Sequence, residues 1–360
     1  MSVHSEIVGG NASSREYERI LFGATPEGVV NFGVGAPDEA ILKKLRAATL
    51  EATQHRLAQN ESHFLMQYGP TRGDGEFVEA LSQFLTAEYS DTVKTEELMV
   101  TSGASQGLQM AATFYFSAGD TVFVEDPTYF LAIQMLKDLH LNIVPIPQDA
   151  DGMQVDLLEQ MLEQGKSSPG SGGTRSNFKA MVYVIPTYNN PTGSTLSAAR
   201  REKLVQLAYK HQLLVVSDDV YTMLRYDSSS SADLPPRLVS YDKGEGRVLS
   251  NNSFTKIFGP GVRLGWYEAR STLLKPFLDG GWANSGGSAN HLTSGIMCSC
   301  LQLGLQARLL HEVKLTYQSR KRVLCDELRL RLPKGCTFTE APGGYFVWVE
   351  LPERCVFFCV

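Results

Sequence analysis

Long apolar runs are absent. No stretch of the 360 residues approaches the ~20 consecutive apolar positions that a membrane-crossing helix requires. The opening Met1-Ser2-Val3-His4-Ser5-Glu6 has neither the charged start nor the apolar core of a secretory signal. Cysteine is missing from the first two-thirds: all six lie at 298, 300, 325, 336, 355 and 359, with no zinc-like CxxC pair. A disulfide framework and a metal site are therefore not expected, and reduced thiols in a cytoplasmic protein are. Positive charge is short too. Lys and Arg number 33 against 39 Asp and Glu, a net charge of -6, which argues against a nucleic-acid surface. The one basic run, Arg320-Lys321-Arg322, reads as the solvated face of a long helix. No internal repeat breaks the chain into copies.

What is present is ordinary in bulk and regular in pattern. Hydrophobic residues make up 43% and charged residues 20%, and the length allows a large core in roughly two domains. Apolar spacing predicts helices over 39–58 and 75–89, with the glycine-punctuated loop Gln67-Tyr68-Gly69-Pro70 between them. From Leu98 the rhythm becomes strand, helix, strand, helix. Strands are expected at 98–101, 121–124, 141–146, 181–185, 213–217 and 247–251, and helices at 105–116, 129–139, 153–164 and 197–211. Such alternation indicates an α/β fold with a largely parallel sheet covered on both faces. Stretches 166–177 and 228–236 read as loops. A helical region over 291–330 and strands at 337–340 and 345–350 suggest a smaller α+β domain built from both chain ends.

Within this frame, residues 250–266 set Lys256 between Ser253, three positions before it, and Arg263, seven after, with Gly259, Pro260 and Gly261 between. That is the company of a lysine forming a Schiff base with pyridoxal 5'-phosphate. The amine is the nucleophile, and a hydroxyl and a planar guanidinium suit the cofactor's phosphate. Four other stretches, each following a strand, supply the remaining parts. Gly103-Ala104-Ser105 opens a helix whose backbone amides make a phosphate cup. Tyr129, after Glu125-Asp126-Pro127, is placed to stack on a pyridine ring. Asn190, in Asn189-Asn190-Pro191-Thr192-Gly193, offers an amide to the phenolic oxygen. Asp218 and Tyr221 offer a carboxylate for the ring nitrogen and a phenol for the same oxygen. Each has a plainer reading (a turn, a helix cap, a core tyrosine), but their joint order does not.

Taken together, these motifs resemble the fold-type I pyridoxal-phosphate enzymes of the class I/II aminotransferase family, most closely the branch of 2-aminoadipate and kynurenine aminotransferases. The likeness runs from about Val30 to Leu351. It implies a large domain with a seven-stranded, mostly parallel sheet over 46–295, and a small domain from 1–45 and 296–360. It further implies that Lys256 carries the cofactor and then moves a proton between the substrate's Cα and C4′ of the cofactor. Asp218 would face the pyridine nitrogen, Asn190 and Tyr221 the phenolic oxygen, and Tyr129 the ring. Gly103, Ala104, Ser105, Ser253 and Arg263 would hold the phosphate. Tyr68 matches a tyrosine that reaches the cofactor phosphate of a neighbouring subunit, so a homodimer is implied. Gly35 and Asn190 lie where the substrate passes, and 285–291 resembles a loop near the partner's site. The implied reaction moves an amino group from an aromatic, kynurenine-like or 2-aminoadipate-like amino acid to a 2-oxo acid.

One departure bears on substrate. In the family, the segment matching Pro342-Gly343-Gly344-Tyr345-Phe346 is followed by more of the small domain, including an arginine that clamps the substrate's α-carboxylate. Here Arg354 comes too soon to be that residue, and the apolar Cys355-Val356-Phe357-Phe358-Cys359 fits nothing in the pattern. A truncated or alternatively spliced form with weakened substrate recognition is the expectation. Three rivals follow: a catalytically impaired relative that keeps the cofactor, a lyase using the same cofactor, and an α/β-hydrolase. The last reads Gly103-Ala104-Ser105-Gln106-Gly107 as a nucleophile elbow, with Asp218 and His291 as partners.

Overall fold

Strands covered on both faces are built largely from apolar residues, and in this sheet the polar ones gather toward the ends of some strands. The computed structural model of the chain describes residues 35–165, 176–226, 234–287 and 289–352. Its main sheet contains β1 (Leu98–Thr101), β2 (Thr121–Asp126), β3 (Asn142–Asp149), β4 (Gly152–Met153), β5 (Ala180–Val184), β6 (Leu213–Asp218), β7 (Val248–Ser253) and β8 (Gly265–Glu268). The strand order is β1-β8-β7-β6-β5-β2-β3-β4. Every residue of β1, β5, β6, β7 and β8 is buried. Each fully buried leucine or valine of this layer contributes roughly 1.5–3 kcal/mol.

Strand direction decides where a site can form. β2 runs parallel to β3 and β5, β5 to β6, and β6 to β7. β8 is antiparallel to both β1 and β7, so those two run the same way. The carboxyl ends of β1, β2, β5, β6 and β7 therefore lie along one edge of the sheet, the edge at which α/β proteins bind ligands. The mostly parallel α/β sheet expected from the alternation is present. β8 was not expected, since its residues read as the tail of a glycine-rich loop. Gly265 makes it possible: a Cβ there would lie 2.4 Å from the Asn252 carbonyl oxygen and 2.8 Å from the Gly103 Cα.

Helices α1 (Glu39–Leu57), α2 (Gly75–Tyr89), α3 (Ala104–Tyr115), α4 (Phe130–Asp138), α5 (Val155–Glu163) and α6 (Ala198–His211) fall where the apolar spacing puts them. Asp38 and Asp74 cap α1 and α2 by accepting from the Ile41 and Phe77 amides at 3.0 and 2.9 Å, contacts typically worth about 1 kcal/mol each. Short helices α7 (Leu238–Tyr241), α8 (Ser271–Leu278) and α9 (Gly281–Gly286) follow. The helical region expected over 291–330 is two helices, α10 (His291–Gln302) and α11 (Leu305–Arg331). They break at Gly304, whose φ of +67° is left-handed. β9 (Thr337–Thr339) and β10 (Trp348–Glu350) pair antiparallel.

Two charged features differ from a solvated surface. Lys321 is buried, not part of an exposed basic face; its amine donates to the Ala341 carbonyl at 3.1 Å and pairs with Glu340 at 3.3 Å. Beside β8, buried Arg237 pairs with buried Glu268, reaches Asp91 at 3.2 Å and lies 4.1 Å from the centroid of the Tyr89 ring. Cys298, Cys300, Cys325 and Cys336 are free thiols, and burial pushes the first two up to about 12. Among the described residues no helix is long and apolar enough to cross a membrane, and no cluster of metal-ligating side chains is found.

Candidate active site

The loop after β1 and the loop after β7 meet at a small cup. Gly103 has φ +94°, which turns the chain into α3 and leaves the first-turn amides without a side-chain cap. A Cβ at Gly103 would lie 3.3 Å from Arg263 Nη2 and 3.6 Å from Ser253 Oγ. Amides, guanidinium and hydroxyl thus converge on a space kept open by the missing side chain. Arg263 itself sits in a left-handed turn at φ 46°, with its Nη1 donating to Pro260 O at 3.2 Å. Asn290 donates to the Arg263 carbonyl. Ser105 is exposed in the first turn of α3 and Ala104 half-buried. A positively charged, donor-rich cup of this kind suits a phosphate.

Lys256, in the turn that follows β7, points its amine away from bulk water. Nζ donates to the Gly35 carbonyl at 2.7 Å and lies 4.9 and 5.9 Å from the ring centroids of Tyr345 and Tyr221. Burial lowers its pKa to about 8, while the Asp218 charge works the other way. The Tyr345 hydroxyl donates to the Lys256 carbonyl at 3.3 Å and sits 2.9 Å from the Tyr317 hydroxyl. A Cβ on Gly35 would touch Phe346 Cζ at 2.9 Å, so Gly35 and Phe346 bound one side of the lysine.

Asp218, the last residue of β6, is 8% exposed. Its Oδ2 accepts from the Tyr183 hydroxyl at 2.7 Å, and its Oδ1 has no partner. Burial raises its pKa to about 6; the Tyr183 hydrogen bond pulls it down. Tyr221, three residues on, is buried and hydrogen-bonds Asn190. Half-buried Tyr129 follows β2; burial raises its pKa, the Asp218 charge adds to this, and Arg263 opposes it. Lys256, Asp218, Tyr221 and Asn190 therefore belong to one electrostatically connected cleft, linked through Tyr129 to Arg263.

The unpartnered Asp218 oxygen and the glycine cradle give a direct fit test for pyridoxal phosphate. A buried carboxylate oxygen left without a donor suits a protonated ring nitrogen, and the open cup suits a phosphate. The donor set fits the group.

Other expected residues stand apart. Tyr68 is 77% exposed, and its hydroxyl makes no hydrogen bond among the described residues. The hydrolase reading fails on geometry, because no imidazole hydrogen-bonds Ser105 among the described residues, and His291 Nδ1 is buried without a partner. Arg354 and the apolar tail lie outside the described residues, as do Val30 and the rest of the first 34 positions. Tyr183 was missed. Its signal was available: one phenol in the otherwise apolar strand Ala180-Met181-Val182-Tyr183-Val184 has to find a polar partner.

Comparison with known proteins agrees with this geometry. Residues 27–356 match the family model described as aminotransferase class I and II. The aromatic-amino-acid aminotransferase 1 of Thermococcus litoralis is 30% identical over 321 residues, covering 89% of this chain and 73% of its own. The 2-aminoadipate transaminase of Thermus thermophilus is 27% identical over 329 residues, covering 91% and 76%. The crystal structure of Pyrococcus horikoshii kynurenine aminotransferase in complex with PMP, KYN and KYA superposes with a TM-score of 0.78 at 26% identity, covering 99% of this chain and 83% of that one. With the family model spanning nearly the whole chain and the lysine cleft in place beneath it, this protein belongs to the class I and II aminotransferases.

Proposed function

We propose that the protein is a pyridoxal-phosphate-dependent transaminase that moves an amino group from an aromatic, kynurenine-like or 2-aminoadipate-like amino acid to a 2-oxo acid. The observation that carries this is Lys256: a buried amine with its pKa lowered to about 8, in one cleft with Asp218, Tyr221 and Asn190. Bound there, the cofactor supplies an electron sink that lets the Cα–H bond of an amino acid break.

The chain's own residues do the rest. Lys256 Nζ would hold the cofactor and, once the substrate's own amine has displaced it, would be the free amine placed to carry the proton from the substrate's Cα. Asp218, whose Oδ1 is buried without a partner, would keep the ring nitrogen protonated. Asn190 and Tyr221 would hold the phenolic oxygen, and Tyr129 would supply an aromatic face for the ring. Gly103, Ala104, Ser105, Ser253 and Arg263 hold the phosphate. Gly35, with Phe346 beside it, borders the substrate's path. The names of the similar enzymes from Thermococcus, Thermus and Pyrococcus support these substrate classes, and they favour transamination over elimination or an inert relative.

Exposed Tyr68 supports a homodimer in which it completes the second copy's cup. The free thiols support a cytoplasmic protein. The division into 1–45 with 296–360 and 46–295 is supported by the separate β9–β10 pair. The test is a visible spectrum of the purified protein with pyridoxal phosphate, titrated with a panel of amino acids. Amine transfer consumes the band of the lysine-bound cofactor for the right donor. The Lys256→Ala variant lacks that band and loses at least ~10²-fold in turnover. A parent protein without the band would sink the reading.

A further inference from the structure

Beneath the site lies a carboxyl group that none of these roles uses. Glu125, next to last in β2, is 1% exposed. Its Oε2 accepts from the Ile185 amide at 2.8 Å and from Asn189 Nδ2 at 2.7 Å, and its Oε1 has no partner. The ionisable groups whose charge reaches it are Asp218 and Tyr183, both acids. No cation pairs with it among the described residues.

Asn189 is equally committed. Its amide donates to Ser194 O at 2.9 Å, and its carbonyl accepts from the Gly193 amide at 2.8 Å. Its Oδ1 accepts from the Thr192 amide at 3.3 Å and hydroxyl at 3.1 Å. The turn from Asn189 to Ser194 is thus folded around one buried side chain, and the bond to Glu125 is what fastens that side chain to the sheet. Asn190, which bonds Tyr221, is the next residue. Three residues past Asp126, the same strand leads to Tyr129. Glu125 therefore ties together the loops carrying the amide and the stacking ring.

We propose that Glu125 is a positioning residue acting as a neutral carboxylic acid, fastening Asn189 so that the Asn190 amide is held toward the cofactor's phenolic oxygen. This rests on the reading that the cleft holds pyridoxal phosphate. An ionised carboxylate here would be buried beside acids with one oxygen unpaired, a costly state that a proton removes. Burial, opposed by the two donated hydrogen bonds and reinforced by Asp218, pushes the group up to about 8. Two carboxyls at the ends of β2 and β6, with β5 between them, thus divide the work: Asp218 supplies charge, and Glu125 supplies shape without it.

The experiment compares Glu125→Gln, Glu125→Ala and Asn189→Ala with the parent in the full-length protein. It reads the pyridoxal-phosphate dissociation constant, the pH midpoint of the visible band of the lysine-bound cofactor, and the cofactor-free melting temperature. Glu125→Gln, which keeps the shape and the accepting oxygen, is expected within twofold of the parent in affinity with an unmoved midpoint. Both alanine variants are expected to bind about tenfold more weakly, with the midpoint shifted by half a pH unit or more. A Gln variant as weak as the Ala variant would show that the charge matters and overturn the proposal. So would alanine variants that lower the melting temperature yet leave the midpoint in place. If Glu125→Ala does not fold, Asn189→Ala cuts the same bond from its other end and decides alone. A parent that binds no pyridoxal phosphate refutes the site reading itself, and that result is seen before any variant is compared.

Discussion

The Tyr183 hydroxyl donates to Asp218 Oδ2 at 2.7 Å, from a buried position on the neighbouring strand. This bond holds the Asp218 pKa down against burial, which alone would raise it further. Tyr183→Phe removes this donor and leaves the Val220 amide as the remaining hydrogen-bonding group that favours the charged form. The expected result is an acid limb of kcat/KM that moves to higher pH, together with a stability loss of about 1–3 kcal/mol. A pH–rate series and a denaturant titration check both.

Lys256 should titrate low in the cofactor-free protein. Its amine is expected to become reactive toward an acylating reagent with a midpoint near pH 8, against 10.5 for an ordinary lysine. The folded state favours the uncharged amine. Its contribution to stability is therefore present above 10.5 and lost as pH falls through about 8. Asp218→Asn removes the charge that holds the value up, so the midpoint should drop further. Peptide mapping of the labelled protein across pH 6–11 (roughly the window between burial-shifted and ordinary lysines) reads both midpoints.

Gly103→Ala should harm binding more than folding. The positive φ of +94° with ψ 168° costs an alanine about 1–3 kcal/mol, and its methyl group would project toward Arg263 and Ser253. Melting of the cofactor-free variant should show only that strain, while phosphate and pyridoxal-phosphate affinities should fall by a further ~10-fold or more through loss of charge-assisted contacts.

Arg237→Met should be among the more damaging changes outside the residues that line the cleft. It strands Glu268 in a buried position, and breaking such a pair typically costs 3–5 kcal/mol. Burial already pushes Glu268 up to about 7 with Arg237 beside it, so the unpaired acid would hold its proton to higher pH still. The folded pKa lies above the unfolded one, and stability is lost as pH rises through it. Equilibrium unfolding at pH 5 and pH 8, on either side of that value, should therefore show the larger loss at pH 8.

Much of the cleft was legible because its residues sit in short motifs that follow strands. Gly103, Tyr129, Asn190, Asp218 and Lys256 are each readable from local spacing, and the parallel sheet then gathers them at one edge. What was not legible depends on pairing across the chain. The direction of β8 is set by neighbours 164 positions or more away in β1 as well as by adjacent β7, as the Gly265 to Thr101 register shows. The Lys256 bond to the Gly35 carbonyl spans 221 residues. Lys321 looked solvated because its neighbours are charged, whereas its partner lies at Ala341, beyond the end of α11. Glu125 entered the sequence reading only as a residue before Tyr129, because its partners, the Ile185 amide and the Asn189 side chain, lie 60 and 64 positions further on.

The sheet order has a consequence for synthesis. Among the described residues β1 has one neighbour in the sheet, β8, which is made some 165 residues later, and the cup loop hangs directly from β1. A nascent chain that has not yet delivered Glu268 beyond the ribosome has no seat for that strand. Vitamin capture must therefore wait until translation has passed the whole of the sheet, and chains stalled earlier have nothing with which to grip it.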